Sequence, residues 1–108
     1  MGQDVFVSVH YNAHRDTSVK GIETFYSTME GRKLASGIQN LLTKRIRQTR
    51  NRGIKSGKQY AVLNKTRMVS VLVEAGFISN TWERRRLNGA WYRQIVAEQI
   101  AKGILIHK

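Results

Sequence analysis

The chain has 108 residues and no cysteine, which allows one small domain with one core and excludes a disulfide framework, a thiolate metal site and a cysteine nucleophile. Hydrophobic residues make up 41%, close to the globular norm, so the chain is not composed like a disordered one. The 19 Lys and Arg against 7 Asp and Glu give a formal charge of +12, attractive to polyanions such as nucleic acid, anionic lipid or an anionic cell wall, although a solvated basic surface without a partner has the same composition. Met1–Gln3 leads straight into strand-like residues, without the basic and long apolar segments of a secretory leader. No apolar run approaches the ~20 residues of a membrane helix. The expectation is a chain that stays in the cytoplasm as written or takes its targeting segment from outside it.

In chain order, Val5–Val9 is β-branched and mostly apolar and predicts a buried strand, followed by the polar His10-Tyr11-Asn12. Gly21–Tyr26 alternates and predicts a second strand. Ser27-Thr28-Met29-Glu30 has capping-box spacing, and Leu34, Ile38, Leu41, Leu42 and Ile46 recur at helical spacing behind it, so an amphipathic helix to about residue 47 is expected. Thr49–Lys58 is polar and basic and holds Gly53 and Gly57, which predicts a loop. Tyr60–Leu63 predicts a short strand. Ser70–Glu74, nearly all apolar before its Glu, predicts a central strand covered on both faces.

Asn80-Thr81-Trp82-Glu83 is a second capping-box pattern, opening a short helix to about Leu87, with Asn88 and Gly89 breaking it. A last helix is expected over 90–106, with Tyr92, Ile95, Val96, Ile100 and Ile104 on one face. Interleaved strands and helices predict an α/β class, with helices packed on a mostly parallel or mixed sheet.

Two residues stand where chemistry is expected. His10 directly follows one strand and Glu74 ends another, and ligands in open α/β sheets bind beyond the carboxyl ends of strands. If the two strands are parallel neighbours, both residues face one crevice. A neutral imidazole is a good zinc ligand, and a carboxylate beside a metal-bound water can take its proton. The plain alternatives are a polar residue leaving the core and a solvated Glu paired with an arginine. His14, four residues on, would share a metal with His10 only on a helix face, and its neighbours predict a loop. His107 is expected to be inert at a frayed terminus. Ser8 is expected to be buried, and no G-x-S-x-G elbow or glycine-rich phosphate loop is present. Arg84-Arg85-Arg86 beside Trp82 and Trp91 suits a phosphate backbone or a base, but more often such a run is a solvated helix face above core tryptophans.

Several stretches together resemble the zinc-dependent N-acetylmuramoyl-L-alanine amidases. Phe6–Ala13 is similar to the strand that carries a zinc-binding histidine in that family, written S-[IV]-H-x-N-A, and Gly21–Tyr26 to its next strand. Asn51–Lys55 resembles a loop typical of the family, and Val71–Asn80 the segment that holds its catalytic glutamate. The resemblance covers nearly the whole chain. It implies a mixed, mostly parallel sheet flanked by helices, lacking the family's first strand and helix, so that residues 1–108 form a single partial catalytic domain. It implies Zn2+ as cofactor, His10 as a zinc ligand and Glu74 as the general base or acid. The two other ligands, a His and a Glu, would lie upstream.

The implied activity is hydrolysis of the amide between N-acetylmuramic acid and L-alanine in peptidoglycan, with an extracellular or cell-wall location. Anionic wall polymers are further expected partners. A missing first strand would leave an unpaired sheet edge, which invites self-association. Two rival expectations stand beside this. One is a catalytically dead wall-binding remnant, which would pellet with walls in a salt-dependent way and form no product. The other, less favoured, is nucleic-acid binding through the basic helices, which would show tight, salt-sensitive DNA binding.

Overall fold

A computed structural model describes residues 4–107; the expectation concerning Met1–Gln3 falls outside that range. The elements are β1 (Val5–Asn12), β2 (Ile22–Tyr26), α1 (Met29–Arg45), β3 (Asn51–Ser56), α2 (Ala61–Asn64), β4 (Val69–Phe77), α3 (Thr81–Leu87) and α4 (Ala90–His107). The four strands form one sheet in the order β1-β4-β2-β3. The β1–β4 and β2–β3 pairs are parallel and the β2–β4 pair is antiparallel, so the sheet is mixed.

All nine residues of β4 are buried, as its apolar run requires of a strand flanked on both sides. Alternation splits them between two faces. Val69, Val71, Val73 and Ala75 join Leu34, Ile38 and Leu42 of α1 and Tyr92, Val96 and Ile100 of α4 in the main core. Leu72 turns the other way, to Phe25, Leu63 and Tyr60. The second face is therefore covered only in part, by α2 and the loop before it. Gln39 brings the one polar side chain of α1 into the core region with its needs met. Its Oε1 accepts from Thr24 Oγ1 at 2.9 Å, and its Nε2 donates to the Ile22 carbonyl at 2.8 Å and to Asn51 Oδ1 at 2.9 Å.

Several expectations are corrected. β1 is not a buried strand: Val5 and Val7 pack on the main core, but Val9 and Tyr11 are exposed, because β1 pairs with β4 alone among the described residues. Ser8 is likewise half-buried. The predicted loop over 49–58 contains β3, a polar edge strand held by pairing to β2 rather than by apolar alternation, with Gly53 at φ +78°. Charged side chains on such an edge discourage pairing with further chains. Tyr60–Leu63, predicted as a strand, gives way to the four-residue helix α2, in which only Leu63 is buried; a run this short carries no decisive period.

The first helix is capped one residue later than the capping box predicts. Thr28 Oγ1 accepts from Gly31 N at 3.0 Å, while Ser27 Oγ donates to the Leu63 carbonyl at 3.0 Å. Glu30 is left to an exposed ion pair with Lys33. His107 is not at a frayed end: it closes α4, and its largely covered ring lies 3.6 Å from Glu30. Trp82 and Trp91 are 72% and 60% exposed, so they are not core residues beneath the arginine run.

Where α4 crosses α1, Gly103 is buried and a Cβ built on it would lie 2.7 Å from Ile38 Cγ1 and 3.3 Å from Ile38 Cα. The close approach of the two helices depends on that missing methyl. Gly103→Ala is therefore expected to destabilise the fold by about 1–3 kcal/mol despite its better helix propensity. Urea denaturation measures this, and a stabilised variant would mean that the helices part at little cost.

Candidate active site

The second sheet face, opposite α1 and α4, carries a row of polar side chains across three strands. In β1 the face alternates Phe6, Ser8, His10; in β4, Ser70, Leu72, Glu74; in β2, Glu23, Phe25. The parallel register sets His10 beside Glu74, and the antiparallel register sets Glu23 on the other side of Glu74. The sequence spacing left open whether β1 and β4 are neighbours; pairing brings their carboxyl ends together. The row therefore runs imidazole, carboxylate, carboxylate, and ends on the cations of β3.

Glu74 is 5% exposed, and its Oε2 is buried without a hydrogen-bond partner among the described residues. Burial holds its carboxyl above the ordinary value; the nearby His10 works against that shift and Glu23 adds to it. A carboxyl so placed keeps its proton more readily than a surface glutamate, which suits a group that must take a proton and return it. Glu23 differs although it too is 5% exposed. Its Oε2 is paired with Lys55 Nζ and lies 3.4 Å from Arg52 Nε. Arg52 in turn stacks over the Phe77 ring at 5.2 Å.

His10 is exposed, and its Nε2 lies 2.7 Å from Ser8 Oγ on the same face. Tyr60, packed edge-on against Phe25, closes the far side of the face. Its phenol is raised by burial and, after that, by Glu74 and Glu23. Glu23 and Tyr60 escaped the sequence analysis as site residues. The signal for Glu23 is a charge alternating with apolar residues in a strand buried on both sides; Tyr60 carries none, since the short run around it has a strand's composition.

His14 does not join His10. It lies in the irregular segment after β1, where its N–H donates to Ser79 Oγ and its Nδ1 accepts from Asp16 N, both at 2.9 Å. Among the described residues no three His, Cys, Asp or Glu side chains are grouped to hold a metal ion.

A buried carboxyl beside an imidazole on an open sheet face is able to carry acid–base chemistry. Comparison with known proteins gives the family. The family model described as N-acetylmuramoyl-L-alanine amidase matches residues 1–105, and the chain belongs to that family. It is similar to YqiI of Bacillus subtilis (strain 168), 42% identical over 105 residues that cover 94% of this chain and 50% of that protein. It is similar also to N-acetylmuramoyl-L-alanine amidase LytC of the same organism, 38% identical over 104 residues, 93% of this chain and 21% of LytC. The fold matches N-acetylmuramoyl-L-alanine amidase AmiC2 of Nostoc punctiforme with a TM-score of 0.88 at 35% identity, covering 95% of this chain and 57% of that one. The chain thus spans about half the length of YqiI and AmiC2, and about a fifth of LytC.

Proposed function

We propose that this chain acts in hydrolysis of the amide between N-acetylmuramic acid and L-alanine in peptidoglycan, at the cell wall, with Glu74 as the proton carrier. The observation that supports this reading is the β1–β4 register, which sets His10 beside the buried carboxyl of Glu74, one oxygen of which has no hydrogen-bond partner among the described residues. Glu74 takes the proton of the attacking water and delivers it to the departing amine of L-alanine. Glu23, held by Lys55 and Arg52, places a second carboxylate beside Glu74 and adds to the upward shift of its titration. The basic surface favours docking on an anionic wall.

Zinc is the cofactor that the family resemblance implies. A zinc centre usually takes three protein ligands. The His10 imidazole is a suitable donor, yet the described residues supply no group of three, so by themselves they do not fit a whole zinc site. The 108-residue chain is expected to bind zinc only weakly, far short of the roughly 10–16 kcal/mol of a complete structural site, and His10→Ala to weaken it further. Calorimetric titration with zinc tests this, and tight binding that survives His10→Ala would remove His10 from the role.

The functional test is incubation of the purified chain with isolated peptidoglycan and zinc, reading newly freed L-alanine amino groups. Release that is lost on chelation and in Glu74→Gln supports the proposal, and equal release from that variant would overturn the part given to Glu74. A second reading is wall binding without cleavage, through the basic surface alone. Salt-sensitive pelleting with walls and no released amine would favour it.

A further inference from the structure

Strand directions gather several connecting segments at one end of the sheet. β1 runs parallel to β4, and β2 with its parallel neighbour β3 runs against β4, so the ends of β1 and β4 meet the starts of β2 and β3. Hydrogen bonds tie the segments together there. The Ile78 N–H donates to the Asn12 carbonyl at 2.8 Å, and the Ile22 N–H to the Arg50 carbonyl at 2.9 Å. Glu83 of α3 accepts from Gly21 N at 2.9 Å and from Thr49 Oγ1 at 2.6 Å, and Asn80 Nδ2 donates to the Thr17 carbonyl at 3.2 Å. The segment between β1 and β2, the segment between α1 and β3, and α3 therefore form one connected rim. His10, Glu74 and Glu23 lie toward this same end of the sheet.

Each part of the rim brings exposed cations: Arg15 and Lys20 from the first segment, Arg47 and Arg50 from the second, Arg84 and Arg85 from α3. Among the described residues none of these forms an ion pair. Acids do not balance them. Glu74, Glu23 and Glu83 are buried, and Glu83 is taken up by the bonds above. Asp16 is the one exposed carboxylate of the three segments, and its Oδ1 accepts from Ser18 N and Ser18 Oγ. No acid stands in the sequence between Glu30 and Glu74. Lys44 and Arg45 are set apart from the rim, because they share a groove with Glu98 and complement the C-terminal end of α1. Like charges held on one rim repel one another, and a chain of negative charges relieves that repulsion wherever it reaches.

We infer that this rim is a docking surface for a linear phosphodiester polymer of the cell wall, held by Lys20, Arg47, Arg50 and Arg85 at the end of the sheet that carries His10 and Glu74. The choice of a wall polymer rests on the amidase reading given above; the position of the surface does not. A phosphodiester chain carries one negative charge per repeat on a flexible backbone, so it can follow cations that are spread over three segments, whereas a single small anion meets only one or two of them. All the rim cations but Lys20 are arginines, whose planar guanidinium matches phosphate oxygens in pairs. Binding of this kind releases condensed counterions and falls steeply with salt. A polymer held there keeps the acid–base row at the wall.

The test is fluorescence anisotropy of a short labelled poly(glycerol phosphate), titrated with the 108-residue chain over a range of salt. Lys20→Gln, Arg50→Gln and Arg85→Gln combined should weaken binding by about tenfold or more and flatten the slope of log affinity on log salt by about 2. Lys58→Gln, Lys65→Gln and Arg67→Gln combined remove the same charge around α2, at the opposite end of the sheet, and should weaken binding by about threefold at most. Equal losses from the two triple variants would overturn the surface, since net charge alone would then account for binding. In the parent chain, NMR amide shifts on adding the polymer should gather in residues 13–21, 46–50 and 81–87, and shifts gathered in residues 57–68 instead would overturn the surface without recourse to any variant. Tighter binding of a DNA duplex with as many phosphates would overturn the wall-polymer assignment in favour of nucleic acid. Polymer binding in a chain that releases no L-alanine would support the surface and count against the amidase reading. Release of L-alanine without polymer binding at low salt would support the amidase reading and overturn the surface.

Discussion

Replacing Glu74 with Gln is expected to lower amine release from peptidoglycan by about 100-fold or more while making the chain more resistant to heat at pH 7. Both effects come from one environment. The carboxyl is 5% exposed, one oxygen has no partner, and burial raises its titration above the ordinary 4.5. The folded state therefore favours the protonated form. Its stabilising contribution is whole below pH 4.5 and is lost as pH rises through the higher folded-state value. At pH 7 the parent chain bears the burden of a buried charge, and the neutral isostere Gln does not.

The midpoint of thermal unfolding should rise by a few degrees at pH 7, where about 1 kcal/mol corresponds to roughly 4–8 °C for a chain near this size. The gain should vanish below pH 4.5, where the parent group is itself neutral. Thermal scans at the two pH values measure it. A variant that is less stable at pH 7 would show that the Glu74 charge is well solvated, and would remove the reason for giving it the proton-carrying role.

Glu83→Ala is expected to cost about 3–5 kcal/mol, a large share of the roughly 5–15 kcal/mol that holds a domain folded. One buried carboxylate accepts from the first residue before β2, the last residue of β4 and the threonine ahead of β3. Truncation leaves two buried backbone N–H groups without acceptors and opens a gap beneath α3. Glu83→Gln retains one acceptor oxygen and the volume, so its loss should be smaller, about 1–2 kcal/mol. Urea denaturation gives the two values, and hydrogen exchange at Gly21 and Phe77 reports where the damage lies. A loss below about 1 kcal/mol for Glu83→Ala would mean that water replaces these bonds freely.

The history of Glu83 separates what sequence and structure each contribute. Local sequence marks it as the fourth residue of a capping box. Asn80 does cap α3 through Trp82 N and Glu83 N, but the Glu83 side chain turns to the end of β4 and to two distant segments instead of back to the cap. A capping pattern reports on one turn of helix, whereas the partners of Glu83 are set by strand order. The same limit hid β3, whose strand character lies in its pairing to β2, and Glu23, whose role follows from lying opposite Glu74. The tryptophans show the limit for burial. Periodicity ranks faces of a helix, but α3 is short and covers the core with Leu87, so Trp82 stays outside.

The sequence by itself determined the α/β class, the central strand with its buried apolar run, both long helices and the family, and it singled out His10 and Glu74, although β1 and β4 run on past them to Asn12 and Phe77. Those features are local: an apolar period, a cap or a motif is complete within a few residues. Only the tertiary structure decided that β1 and β4 are parallel neighbours and that Glu23 and Tyr60 share the face of Glu74. Those juxtapositions depend on register and packing between segments far apart in the chain, and the order in which strands pair is not written in the composition of any one of them.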